Sequence, residues 1–122
     1  MMERIVKHPA QLVPAPHLLD YDATCARFSW DDAANLLDGL PAGGINIAFE
    51  AVDRHLLHGR GDKIAIRWLG KTGQRRELSY AQLAQATNRF ANALAGLGVQ
   101  PGERVFVLMG RLPELYIAGS AR

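Results

Sequence analysis

Asp53, His55 and His58 are the residues of this 122-residue chain that most invite a metal reading, because imidazole and carboxylate groups are common ligands. Zinc sites take three or four ligands, yet His55 and His58 have no third candidate beside them in sequence. The group therefore reads as a polar helix end, favoured by the helix dipole when the histidines are protonated. Arg60-Gly61-Asp62 spells the adhesion tripeptide. Met1 to Pro16 lacks the apolar core of an export signal, so the tripeptide reads instead as the close of a helix and the start of a strand. Lys71, Arg75 and Arg76 could touch phosphate, but no aromatic residues interleave with them as a single-strand nucleic-acid platform requires, and a solvated turn accounts for them. Gly39 to Gly44 is glycine-rich without the lysine and hydroxyl residue of a phosphate-binding loop, and it reads as a flexible connection. Asp31 and Asp32 are adjacent in a first helical turn and point in different directions, which suits the helix dipole and not paired acid–base work. Cys25, the one cysteine, has only Arg27 near it as a cation and reads as a partly buried spectator thiol.

The elements that must position these groups are best defined in the last third of the chain. Ser79 stands at an N-cap position and Gln82, three residues on, completes a capping box, so a helix starts at Tyr80. Leu83, Ala86, Phe90, Leu94 and Leu97 share one face of it, and Gly98 suits a left-handed residue just past its end at Leu97. Pro101-Gly102 supplies a turn into Val105 to Met109, five apolar residues in a row, which predict a strand buried on both faces in a parallel sheet. With the strand before the helix this makes one βαβ unit. Upstream, Lys63 to Leu69 and Arg75 to Leu78 predict a hairpin across Gly70 to Gln74. Asn46 to Leu57 predicts a helix with Ile45, Phe49, Val52 and Leu56 inward, and Ser29-Trp30-Asp31-Asp32 opens a short helix running through Leu37. Met1 to Pro16, with three prolines, predicts an extended arm.

Composition adds limits. An apolar fraction of 48% with 21% charged residues excludes a disordered chain, and no apolar run reaches the ~20 residues of a membrane helix. A single cysteine agrees with a reducing compartment, so a cytoplasmic location is expected. The net charge of +2 implies no particular partner, and neither nucleic acid nor membrane is expected as one.

From Tyr21 onward the sequence resembles the N-terminal region of AMP-forming acetyl-coenzyme A synthetases, within the acyl-adenylate-forming superfamily. Phe28-Ser29-Trp30 and the acidic turn after it are similar to the family's opening segment. Asn46-Ile47-Ala48-Phe49-Glu50-Ala51-Val52-Asp53-Arg54-His55 is similar to its helix ending in Asp-Arg-His, and Gly61 to Trp68 to the strand that follows. Leu78-Ser79-Tyr80-Ala81-Gln82-Leu83, Asn88 to Leu94, Leu97-Gly98-Val99, Pro101 to Val105 and Gly110 to Tyr116 continue the resemblance in order, over about 100 residues. After Tyr116-Ile117-Ala118 the pattern is lost through Gly119-Ser120-Ala121-Arg122, and a truncation or frameshift is expected.

The resemblance implies an incomplete α/β fold: N-terminal helices, a β-hairpin and one βαβ unit of the large adenylate-forming domain. It implies an arm over 1–16, a helical segment over 17–60 and the start of the AMP-binding domain over 61–122. It also implies a parent reaction in which acetate and ATP give acetyl-adenylate and diphosphate, and coenzyme A then displaces AMP, with magnesium on the phosphates. The family's Ser/Thr/Gly-rich loop ending in lysine, its ribose-binding aspartate and its adenylation lysine are not found in these 122 residues. No catalytic, cofactor-binding or metal residue is therefore assigned, the chain alone is expected to be inactive, and ATP, Mg2+ and coenzyme A belong to the full-length parent. Arg111 follows the apolar strand at the sheet edge where open α/β sheets collect ligands, and it is the best single candidate for an anion contact, though it is not assigned as a site. Its other reading is a salt bridge at a helix start or between domains, because Pro113-Glu114 beside it reads as a helix beginning. The expected partner is the remainder of the synthetase polypeptide. The alternative is a noncatalytic module that docks on a separately encoded remainder or another partner protein. A strand meant for burial on both faces would meanwhile leave apolar surface and open edges exposed, inviting aggregation or partial disorder.

Overall fold

The computed structural model describes residues 12–121, so most of the expected N-terminal arm lies outside the described residues. The chain divides into two compact units, Met1–Leu36 and Leu37–Arg122. In the first, Asp20 Oδ1 accepts a hydrogen bond from the Ala23 amide at 2.9 Å and starts α1 (Tyr21–Arg27). Asp22 in its first turn and Arg27 in its last complement the helix dipole. Apolar periodicity does not announce this helix; its signal is the Asp20 cap. Ser29 Oγ accepts from the Asp32 amide at 3.0 Å and starts α2 (Trp30–Ala34). That helix stops before the expected Leu37, because none of its residues is buried and local capping alone does not prolong so short a segment. Phe28 meets Trp30 edge to face, with ring centroids 5.0 Å apart.

The second unit opens on a helix capped by Asn46, whose Oδ1 accepts from the amides of Ala48 and Phe49 at 2.9 and 3.0 Å. Its first part, Phe49–Asp53, is a π-helical turn that passes into α3 (Arg54–Leu57). Phe49 and Val52 are buried and Leu56 packs beside them, as the periodicity predicts. Ile45 does not join them. It precedes the cap and is exposed, and the widened turn that follows departs from the 3.6-residue spacing on which its assignment rested.

The hairpin forms where expected. β1 (Ile64–Leu69) pairs antiparallel with β2 (Arg75–Ser79), Arg67 facing Glu77 and Trp68 facing Arg76, with a bulge between Ile64 and Ile66. α4 (Tyr80–Gly96) follows β2 without a linker, because Ser79 is both the last residue of the strand and the N-cap. Both bonds of the capping box are made: Ser79 Oγ accepts from the Gln82 amide at 3.2 Å, and Gln82 Oε1 accepts from the Ser79 amide at 2.9 Å. Gly98 takes φ +89° just past the end, the left-handed conformation that glycine adopts without a Cβ penalty. α5 (Pro113–Gly119) begins with proline in its first turn, also as the sequence predicts.

Val52, Leu83 and Ala84 form the core of this unit, with Leu56, Ala65, Ile66 and Ile117 packed against it. The buried residues of α4 are Leu83, Ala84 and Thr87, of which only Leu83 belongs to the expected stripe; Ala86, Phe90 and Leu94 are half-buried and Leu97 is 81% exposed. The expected fold class is present as helices with a β-hairpin. The βαβ crossover is not completed, since the sheet has two strands among the described residues and 105–109 pairs with neither. A strand is held by its ladder, and this apolar segment meets no hydrogen-bonding neighbour within the described residues.

Leu83→Ala is expected to destabilise the second unit by about 2–5 kcal/mol, and Leu97→Ala by less than ~0.5 kcal/mol. Native-state amide exchange along α4 measures both; equal losses would place the core elsewhere.

Candidate functional site

The glycine-rich loop and α3 are joined by one ionic cluster. Arg54 Nε lies 3.2 Å from Asp38 Oδ1 and Arg54 Nη1 lies 3.2 Å from Glu50 Oε2, while His58 Nε2 stands 2.9 Å from Asp38 Oδ2. Glu50, whose side chain is 9% exposed, also accepts from the amide of Gly39 at 2.7 Å and from that of Asp38 at 3.3 Å. The loop is further closed by bonds from the Leu40 amide to the Gly44 carbonyl and from the Gly43 amide to the Leu40 carbonyl. Gly39 to Gly44 is thus an anchored turn rather than the flexible connection expected, because a carboxylate eleven residues downstream of Gly39 collects its amides. Composition within the loop carries no signal of that partner.

His55 turns away from His58. Its ring lies 4.3 Å from that of Tyr80, at the start of α4, and its Nδ1 is 3.4 Å from Arg60 Nη1. Burial first, then the charges of Arg60, Arg54 and His58, hold the imidazole below its ordinary pKa, so it favours the neutral state. The two histidines therefore serve different contacts, and no group of three metal-ligating side chains converges among the described residues. Arg60-Gly61-Asp62 closes the helix and leads into β1: the Arg60 amide donates to the His55 carbonyl at 2.8 Å, and the Lys63 amide to the Arg60 carbonyl at 3.0 Å.

The arginines of the hairpin are paired with carboxylates. Glu77 accepts from both Arg75 and Arg67, and these two arginines hold its carboxyl below the usual carboxylate range. Arg76 Nη2 lies 2.8 Å from Glu114 Oε1 in the first turn of α5, and Arg76 likewise lowers the Glu114 carboxyl. The salt bridge at the α5 start is therefore made by Arg76 and Glu114, not by Arg111. Arg111 is held through its backbone, whose carbonyl accepts from Trp68 Nε1 at 2.6 Å, and its side chain borders a cleft of about 540 Å³ with Arg67, Trp68 and Tyr116. Sequence reasoning missed both long-range ties, since partners 38 and 43 residues apart leave no local pattern. Asp31 and Asp32 lie in the first turn of α2, as expected, and Cys25 is exposed rather than partly buried because α1 buries none of its residues.

Chemically, these side chains tie elements together. The helix before the hairpin, the hairpin, α4 and α5 are fixed to one another by the apolar core and these ionic contacts, an arrangement suited to a scaffold. The comparisons with known proteins agree with that geometry. The family described as AMP-binding enzyme matches residues 53–121, from the last residue of the π turn through α5, and the chain belongs to that family. Within it, the chain is similar to acetyl-coenzyme A synthetases: 47% identical to that of Streptomyces coelicolor over 76 residues, covering 62% of this chain and 12% of the relative. It is 36% identical to that of Magnetococcus marinus over 103 residues, covering 84% of this chain and 14% of the relative. A crystal structure of a Brucella canis acyl-CoA synthetase superposes with a TM-score of 0.70 at 32% identity, covering 83% of this chain and 18% of that one. The chain thus spans about an eighth of the length of the S. coelicolor relative. No helix among the described residues is long and apolar enough to cross a membrane.

Arg54→Ala leaves the Glu50 carboxylate with its backbone donors but without its cation, and the loop anchor is expected to weaken by about 1–3 kcal/mol. Faster amide exchange at Gly39 and Asp38 reads this directly; unchanged exchange would show that the cluster does not hold the loop. His55 is expected to titrate below the ordinary 6.5. Because the unfolded chain binds that proton more readily, its contribution to stability is complete above about pH 6.5 and is lost as pH falls through the folded value. Titration of the His55 ring protons by NMR checks the sign, and a value above 6.5 would contradict the Tyr80–Arg60 environment.

Proposed function

We propose that this chain is the N-terminal scaffold of an AMP-forming acetate–CoA ligase. In the parent reaction a carboxylate oxygen of acetate attacks the α-phosphorus of ATP, forming acetyl-AMP and releasing diphosphate; the coenzyme A thiol then attacks the acyl carbon and AMP leaves. The observation that carries this reading is the match of residues 53–121 to the AMP-binding enzyme family together with 36–47% identity to acetyl-coenzyme A synthetases.

The described residues do not fit an ATP–magnesium site. Asp38, Glu50, Glu77 and Glu114 are engaged with Arg54, Arg67, Arg75 and Arg76, and no triad of ligating side chains converges. No step of the reaction is therefore assigned to a residue of this chain, and the 122 residues by themselves are inactive in this reading. Their role is to carry the helix, hairpin and α4 on which the rest of an adenylate-forming domain rests, in the cytoplasm. The bare apolar segment 105–109 also favours a second reading, a noncatalytic module that docks on a separately encoded synthetase remainder.

Acetate-dependent ATP–pyrophosphate exchange tests both parts. The purified 122-residue chain is expected to give none, and exchange that survives repurification would sink the claim of inactivity. Residues 53–121, grafted in place of the matching stretch of the S. coelicolor synthetase, are expected to preserve exchange within about tenfold. A folded chimera without exchange would count against the scaffold role.

A further inference from the structure

α5 begins without a cap of its own. Leu112 at its N-cap position makes no side-chain hydrogen bond, and Pro113 after it has no amide to donate. One rung of the hairpin supplies what the sequence around Pro113 lacks. Trp68 and Arg76 are direct partners across β1 and β2, so their side chains rise on the same face of the ribbon, the face on which Ile66 reaches the core. Trp68 Nε1 donates to the Arg111 carbonyl at 2.6 Å, two residues before Pro113, and Arg76 Nη2 lies 2.8 Å from Glu114 Oε1, one residue after it. The two bonds thus straddle a buried Pro113, which stands one turn before Ile117 of the core.

The tip of the hairpin seats the indole. The Gly70 amide donates to the Gln74 carbonyl at 2.7 Å and the Gly73 amide to the Gly70 carbonyl at 3.1 Å, so the backbone at Gly70 is held in place. Gly70 has no left-handed φ; what it provides is room. A Cβ there would meet Gln74 Oε1 and would stand 2.8 Å from Trp68 Cη2 and 3.2 Å from Trp68 Cζ3. Gln74 can turn aside through its rotamers, but Cη2 and Cζ3 are one edge of a rigid ring system whose other end carries Nε1. Moving that edge moves the donor off the Arg111 carbonyl. We propose that Gly70, Trp68 and Arg76 form a single latch that stands in for the missing cap of α5, so that the tip of the hairpin and the start of α5 open and close together. The latch needs neither a chain end nor a bare surface, since its contacts are made among residues 68–114, and it does not rest on the reaction proposed above.

Native-state hydrogen exchange tests it, read by mass spectrometry on peptides spanning 110–119, both in the 122-residue chain and in the S. coelicolor chimera that carries residues 53–121. Trp68→Phe keeps a ring and removes its donor, and it is expected to speed exchange of the α5 amides about fivefold. Gly70→Ala leaves both bonding groups intact and is expected to act from the tip of the hairpin by about the same factor, with the Trp68 indole N–H losing its protection in NMR spectra. Amides of α4 around Leu83 are expected to stay within about twofold of wild type in both variants, which separates opening of the latch from loss of the core. Arg76→Gln alone is expected to speed α5 exchange about threefold. Combined with Trp68→Phe, it is expected to remain near fivefold rather than reach the product of about fifteenfold, because a latch already open has nothing more to release. Unchanged α5 exchange in Gly70→Ala would overturn the proposal by showing that tip and helix are not coupled. Single factors that multiply in full would overturn it too, by showing two separate ties.

Discussion

The second unit depends on the contact of Val52 with Leu83 and Ala84. Val52 precedes the hairpin in sequence and Leu83 and Ala84 follow it, so their burial is what brings the π-turn helix onto α4 and closes Ala65 and Ile66 of β1 beneath them. Burying one such aliphatic side chain is worth about 1.5–3 kcal/mol. So few buried residues make a small core, and every other tie in the unit acts at its margin.

Those margins are polar and long-range. Arg54 and Glu50 gather the amides of the glycine turn, Arg76 holds the first turn of α5 through Glu114, and Trp68 fixes the backbone at Arg111. The Arg76–Glu114 pair has both side chains more than 40% exposed, and exposed pairs contribute about 0–1 kcal/mol, so its value is in direction rather than strength. Glu50 differs because its carboxylate is nearly buried and is satisfied by two backbone donors as well as an arginine. These features explain how a chain of the AMP-binding family can use its basic and acidic side chains in construction. Among the described residues the apolar 105–109 segment pairs with neither strand of the hairpin.

Local chemistry was readable wherever neighbours in sequence decide the outcome. Ser79 and Gln82 determine the start of α4, Gly98 its end, Pro113 the start of α5 and the Gly70–Gln74 turn the hairpin, because each acts within a few residues through a cap or a turn. The ordered motifs from Phe28 to Tyr116 likewise suffice to place the chain among acetyl-coenzyme A synthetase relatives. Tertiary structure alone decided that Gly39 to Gly44 is anchored, that Ile45 and Leu97 are exposed, that Arg76 and not Arg111 makes the α5 salt bridge, and that 105–109 meets no ladder among the described residues. The physical reason is range. A cap is satisfied by the next turn, whereas a strand, a buried face or an ion pair across 38 residues exists only when a distant segment arrives to complete it.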